Sequence, residues 1–62
     1  MQIKLKEYRD KKKLTQQELS QKSGVSRAVI VGLESGSYRE TSTVTLKKLA
    51  TALEVPVKDL FF

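Results

Sequence analysis

The chain has no cysteine and no histidine. Together these absences remove disulfides, metal sites built on Cys or His, and general acid–base catalysis by imidazole. They are compatible with a reducing cytoplasm. Tryptophan is missing, two Tyr and two Phe are the whole aromatic complement, and one Pro and three Gly punctuate the 62 residues. Long apolar runs are also lacking, the longest being the four residues from Ala28 to Val31. Neither a membrane span nor the apolar centre of a signal peptide can be made from so little. The chain therefore reads as soluble, beginning at its own Met1, with no membrane partner expected. No repeat, linker or low-complexity tract divides it, so residues 1–62 are expected to form one domain. A domain this small buries only about 60% of the surface that its unfolded chain exposes, which leaves no room for a deep catalytic cleft. No nucleophile–base pair and no Gly-rich phosphate loop can be assembled. The sequence thus points to no enzyme, no cofactor and no small-molecule ligand.

What is present is positive charge and helix punctuation. Twelve Lys and Arg stand against seven Asp and Glu, a net +5. Such an excess suits a polyanionic partner, although by itself it serves solubility equally well. The punctuation is densest from Thr15 to Gly36, TQQELSQKSGVSRAVIVGLESG. Thr15 and Glu18 make a capping box, flanked by Leu14 and Leu19 as a hydrophobic staple. Gly24 suits the positive φ with which a chain leaves a helix. Ser26 is a good N-cap for a second start, and Val25 and Ile30 repeat the staple spacing. Two helix starts and one stop this close predict a sharp corner between two helices, the supersecondary unit that offers its second helix to the major groove of DNA.

The remaining elements follow from periodicity. In Ile3 to Lys13, Leu5 and Tyr8 share one face of a weakly amphipathic helix that should end in the Lys11–Lys13 run, where cations suit the dipole. Helix 2 is expected over about Thr15 to Lys22 and helix 3 over about Ser26 to Ser35. The β-branched run Val29, Ile30, Val31 favours a strand by propensity, but it lies between a cap and a terminating Gly36 and keeps helical spacing with Leu33. Residues 37–42 read as a loop. Leu46, Leu49, Ala50 and Leu53 mark helix 4, which starts near Ser42 or Thr43 and stops near Glu54 before Pro56. A short fifth helix is expected over about Val57 to Phe61. The apolar set expected inside is Leu5, Tyr8, Leu14, Leu19, Val25, Ile30, Leu33, Leu46, Leu49, Ala50, Leu53, Val55, Leu60 and Phe61.

Taken in order, the LTQQEL start of helix 2, the GVS turn, the LESG end of helix 3 and the LKKLATALEV run followed by KDLF resemble the Cro/CI-type, lambda repressor-like (XRE) helix-turn-helix family. The resemblance spans Leu5 to Phe61. It implies an all-α, compact five-helix DNA-binding domain with the helix-turn-helix at helices 2 and 3. It also implies residue roles. Gln16 matches a position that grips a phosphate and braces helix 3, with Gln17 beside it on the DNA side. Ser26, Arg27, Ala28, Val31 and Gly32 match the outward positions of the recognition helix. Ser35, Ser37, Tyr38 and Arg39 match a stretch that touches phosphates. Arg9 and Glu34 match a structural ion pair between helix 1 and the end of helix 3. The chain departs from the family where Val31 and Gly32 replace polar or basic side chains, where Ser20 and Ser23 replace Ala and an apolar residue, and where Thr43 stands for an apolar residue that Val44 would have to supply.

The function so implied is a sequence-specific, double-stranded DNA-binding transcriptional regulator of bacterial or phage origin. It would be a repressor, cytoplasmic and nucleoid-associated, acting as a homodimer on an inverted repeat. Arg27 alone can fork two hydrogen bonds to a guanine, unless it grips a phosphate, while Ala28 and Val31 suit a thymine methyl. Lys11–Lys13, Lys47 and Lys48 read as solvated basic patches or further phosphate contacts. Phe62 beside Val57 is a candidate dimer contact. The alternative is a protein-interaction module, such as an antitoxin or accessory subunit, that uses the same fold.

Overall fold

Each α-helix begins where the sequence offers a side chain to cap it, except the first. The computed structural model of the chain describes residues 3–37 and 42–60. It contains α1 (Leu5–Lys11), α2 (Gln16–Ser23), α3 (Arg27–Ser35), α4 (Thr43–Leu53) and a closing 3₁₀ turn (Val57–Leu60), with no strand among the described residues. The capping box of α2 is formed in both directions. Thr15 Oγ1 accepts from the Glu18 N–H at 3.0 Å, and Glu18 Oε1 accepts from the Thr15 N–H at 2.8 Å. Ser26 and Ser42 cap α3 and α4 by accepting from the Val29 and Thr45 N–H groups at 3.3 and 3.1 Å. Gly24 and Gly36 close α2 and α3 at φ +78 and +86, in the left-handed region that glycine enters without steric cost. α1 has no side-chain cap. Its start is tied instead to the closing turn, where the Lys4 N–H donates to the Leu60 carbonyl at 2.7 Å.

α1 starts at Leu5 and ends at Lys11, inside the expected Lys11–Lys13 run, and Lys13 turns the chain away with a left-handed φ of +57. One expectation changes: where a fifth helix was expected over about Val57 to Phe61, Val57–Leu60 form a single 3₁₀ turn, so there are four α-helices among the described residues. Glu54 enters the left-handed region at φ +60, Pro56 has no N–H to give, and the Asp59 N–H bonds back three residues to the Pro56 carbonyl at 3.0 Å. So short a segment takes the tighter turn without the cost of nucleating an α-helix.

The core collects the apolar face of every element. Leu5, Leu19, Ile30, Leu49, Leu53 and Leu60 are fully buried, and Val25, Leu33, Leu46, Ala50 and Ala52 complete it. Tyr8, Leu14 and Val55, expected inside, pack half-buried against its edge. Ala52 was not in the expected set. Val44 does not replace the apolar residue that Thr43 lacks, since it is 61% exposed. Val57, expected at a dimer surface, is half-buried against the core, while Phe61 and Phe62 lie outside the described residues. α2 holds the middle, packing on both α3 and α4, with α1 against α3 and the closing turn against α4. A large-to-small change at Leu19 would cost about 2–5 kcal/mol, a large share of what such a domain has in total.

Candidate nucleic-acid interface

α3 divides lengthwise. Ile30 and Leu33 point into the core and Val29 is half-buried against it, while Arg27, Ala28, Val31 and Ser35 are exposed. Residues 28, 31 and 35 repeat at i, i+3 and i+7, so they share one sector of the helix, with Arg27 at its N-terminal edge. Val31 is 40% exposed, a large apolar side chain left in solvent. Gly32 is buried, contrary to the outward placement expected of it. It follows Ala28 by one turn, but with no side chain it projects nothing, and the neighbouring turns shield its backbone. It is a gap in the outward surface.

Beyond α3, Ser35 and Ser37 are both exposed and knit the exit of the helix together. Their hydroxyls lie 3.0 Å apart, Ser35 Oγ donates to the Gly32 carbonyl at 3.2 Å, and the Ser37 N–H donates to Ser35 Oγ at 3.3 Å. Tyr38 and Arg39 lie outside the described residues. Ser26 is exposed at the start of α3, and Gln17 is exposed on the first turn of α2.

A polar cluster fixes α3 against its neighbours. Arg9 Nε donates to Glu34 Oε2 at 2.7 Å and Nη2 to Oε1 at 3.0 Å, a two-pronged pair between α1 and the last turn of α3. The remaining prong, Nη1, donates to the Leu14 carbonyl at 2.7 Å. Gln16 Nε2 donates to Glu34 Oε1 at 3.0 Å, joining α2 to the same carboxylate. The implied ion pair and the implied brace are therefore both formed. The two charged side chains retain 11% and 6% of their exposure. The hydrogen bond that Arg9 donates to Glu34 pushes the Arg9 guanidinium above its ordinary pKa against the opposing effect of burial, with the Glu34 and Asp10 charges adding to it.

Sequence reasoning missed the lock on the turn between α2 and α3. Ser20 Oγ donates to the Val25 carbonyl at 2.7 Å, and the Val25 N–H donates to Ser23 Oγ at 3.1 Å. Ser20 stands where the family has Ala, and its hydroxyl is what the turn uses. Two Ser flanking a helix-ending Gly were the available signal, because short hydroxyl side chains bond nearby backbone.

No group of three or more acidic residues that could hold a metal ion occurs among the described residues. Nor is any helix among them long and apolar enough to cross a membrane.

Residues 5–60 match the helix-turn-helix family. An uncharacterized HTH-type transcriptional regulator of the archaeon Methanocaldococcus jannaschii is 41% identical over 61 residues, covering 98% of this chain and 91% of that one. The HTH-type transcriptional repressor RghR of Bacillus subtilis is 40% identical over 58 residues, covering 94% of this chain but only 43% of its own length. Among solved structures, the restriction-modification controller protein C.AhdI from Aeromonas hydrophila superposes with a TM-score of 0.86 at 41% identity, over 94% of this chain and 86% of that one.

Proposed function

The chain belongs to the Cro/CI-type (XRE) helix-turn-helix family of DNA-binding transcriptional regulators, and from that premise we propose that it is a sequence-specific repressor that reads the major groove with α3. The observation that carries this reading is the exposed sector Arg27, Ala28, Val31 on a helix whose opposite face is anchored by Ile30, Leu33 and Glu34. Arg27 reads a guanine through its O6 and N7, and Ala28 and Val31 pack on thymine methyl groups. Gln17, Ser26, Ser35 and Ser37, with Tyr38 and Arg39, position the domain on phosphates. Gln16 gives one of its two amide N–H donors to Glu34, bracing α3, and holds the second for a phosphate. A reading face this thin makes groove shape a substantial part of recognition.

One such domain spans few base pairs, so two copies related by a two-fold bind half-sites about one helical turn, roughly 34–36 Å, apart. The action of the Bacillus relative as a repressor and of the Aeromonas protein as a controller supports regulation at a promoter. The place of action is the cytoplasm, on the chromosome.

Duplexes selected from a random pool supply the test. An inverted repeat is expected, and on the selected site Arg27→Ala weakens binding by about 1–3 kcal/mol and relaxes one base pair. If the ratio of selected to scrambled affinity is unchanged in that variant, Arg27 is not the reader. Affinity that fails to fall steeply with salt would favour a protein-interaction role for the exposed face over phosphate binding.

A further inference from the structure

One surface lies apart from the outward face of α3. Between the last turn of α2 and the solvent side of α4 runs an open groove of about 450 Å³, lined by Lys22, Val44, Lys47, Lys48, Thr51 and Ala52 and by no residue of α3. Its walls come from two helices that the core already holds in place, since α2 and α4 pack directly on each other through their buried faces. Its volume falls within the range of about 300–1,000 Å³ in which clefts accept ligand groups.

The chemistry of the lining selects an occupant. Three lysines rim the groove, and no carboxylate of the described residues lies in ion-pair reach of them, the described pairs being Arg9 with Asp10 and Glu34, and Lys12 with Glu54. The lining also carries one exposed apolar side chain: Val44 is 61% exposed, the most exposed large hydrophobic side chain described, whereas Ala52, two turns further along α4, is buried, and Ser23 and Thr51 add hydroxyls. A phosphate backbone satisfies lysines but gains nothing from Val44. A segment bearing acidic groups around an apolar side chain satisfies both. We propose that this groove docks an acidic amphipathic segment of a partner protein, its carboxylates on Lys22, Lys47 and Lys48 and an apolar side chain over Val44.

The test uses a short helical peptide carrying Glu with Leu at i, i+4 spacing, and a matched control in which Ser replaces Leu. Both are titrated into the isotope-labelled chain at about 150 mM salt, where the screening length is about 8 Å and diffuse charge attraction is weak. Saturable shifts are expected in the amide resonances of Lys22, Val44, Lys47 and Lys48. The Ser control and the Val44→Ser variant are each expected to bind about fivefold more weakly, and Lys47→Glu with Lys48→Glu about tenfold more weakly. All three substituted positions are exposed, and an unchanged thermal melt confirms that the fold persists. The proposal is overturned if the shifts fall on α3, or if affinity is indifferent to Leu and Val44. It is equally overturned if a random-sequence duplex moves the groove resonances while the peptide does not, which would make the groove a nucleic-acid surface.

Discussion

Replacing Glu34 with alanine removes the carboxylate that receives three hydrogen bonds, two from Arg9 and one from Gln16. The size of the effect follows from burial. Exposed ion pairs contribute about 0–1 kcal/mol, whereas removing one partner of a buried pair costs about 3–5 kcal/mol, because the other charge is left desolvated and alone. With side-chain exposures of 11% and 6%, this pair lies near the buried limit. Arg9 keeps the Leu14 carbonyl and a 3.5 Å approach to Asp10 after the change, which softens the loss. The expected destabilisation is therefore about 2–4 kcal/mol. At about 0.05–0.15 kcal/mol per residue, 62 residues provide roughly 3–9 kcal/mol in total. Glu34→Ala should thus bring the domain close to its limit, readable as a lowered urea midpoint in helical circular dichroism. Arg9→Met combined with Glu34→Leu removes both charges, and the pair is expected to cost less than the sum of the two single changes by about 2 kcal/mol. A Glu34→Ala variant within about 0.5 kcal/mol of the parent would refute this account, since it would place the pair in solvent-like surroundings.

Three further outcomes rest on the same coordinates. Thr15→Ala breaks the capping box and should cost about 1 kcal/mol, a fall in melting temperature of about 4–8 °C for a domain of this size. Gly24→Ala places a Cβ where no atom lies within 4 Å, so only the left-handed φ of +78 opposes it; a loss of about 1–2 kcal/mol is expected, and less for Gly24→Asn. The Arg9 pKa is raised in the folded state, so its contribution is complete below the unfolded value and is lost only as pH climbs through the folded one. The difference in melting temperature between the parent and Arg9→Met should accordingly be the same at about pH 6 and about pH 9.

The local parts of the fold were legible because their causes are local. Thr15 with Glu18, Ser26 and Gly24 announce their roles within three or four residues, and each occupies the expected place in the structure. The ends of α1 at Lys11 and of α4 at Leu53 also fall where the Lys11–Lys13 run and Pro56 place them, although nothing in the side chains of Lys13 and Glu54 signals the left-handed φ that each adopts. The segment after Pro56 is too short for its periodicity to separate an α-helix from a 3₁₀ turn, and its tie to Lys4 is one that no local window contains. In the candidate site, the exposure of Arg27, Ala28 and Val31 follows from helical phase. Arg9 and Glu34 stand 25 positions apart, and only the family resemblance brought them together beforehand. Gly32 misled the reading because the family resemblance carried an outward role onto a residue that has no side chain to point. Lys22, Lys47 and Lys48 were visible as charges, but their shared groove exists only once α2 lies on α4.

The position of Glu34 explains why Arg9 is needed for more than stability. Glu34 occupies the last turn of α3, the negative end of the helix dipole, where a carboxylate is disfavoured. On the proposed reading it also stands on the helix that enters a groove bordered by phosphates, where an unbalanced negative charge would repel the ligand. Arg9 cancels that charge from α1, and Gln16 adds a neutral donor from α2. Among the described residues, α3 is then left with Arg27 as its one charge outside an ion pair. Among the described residues, the side chains of Arg27, Ala28 and Val31 take part in none of the hydrogen bonds that hold the helix in place. Base preference can therefore be altered at Arg27, Ala28 and Val31 without disturbing the cluster that orients them, whereas any change at Glu34 alters the orientation, the stability and the field at the reading face together.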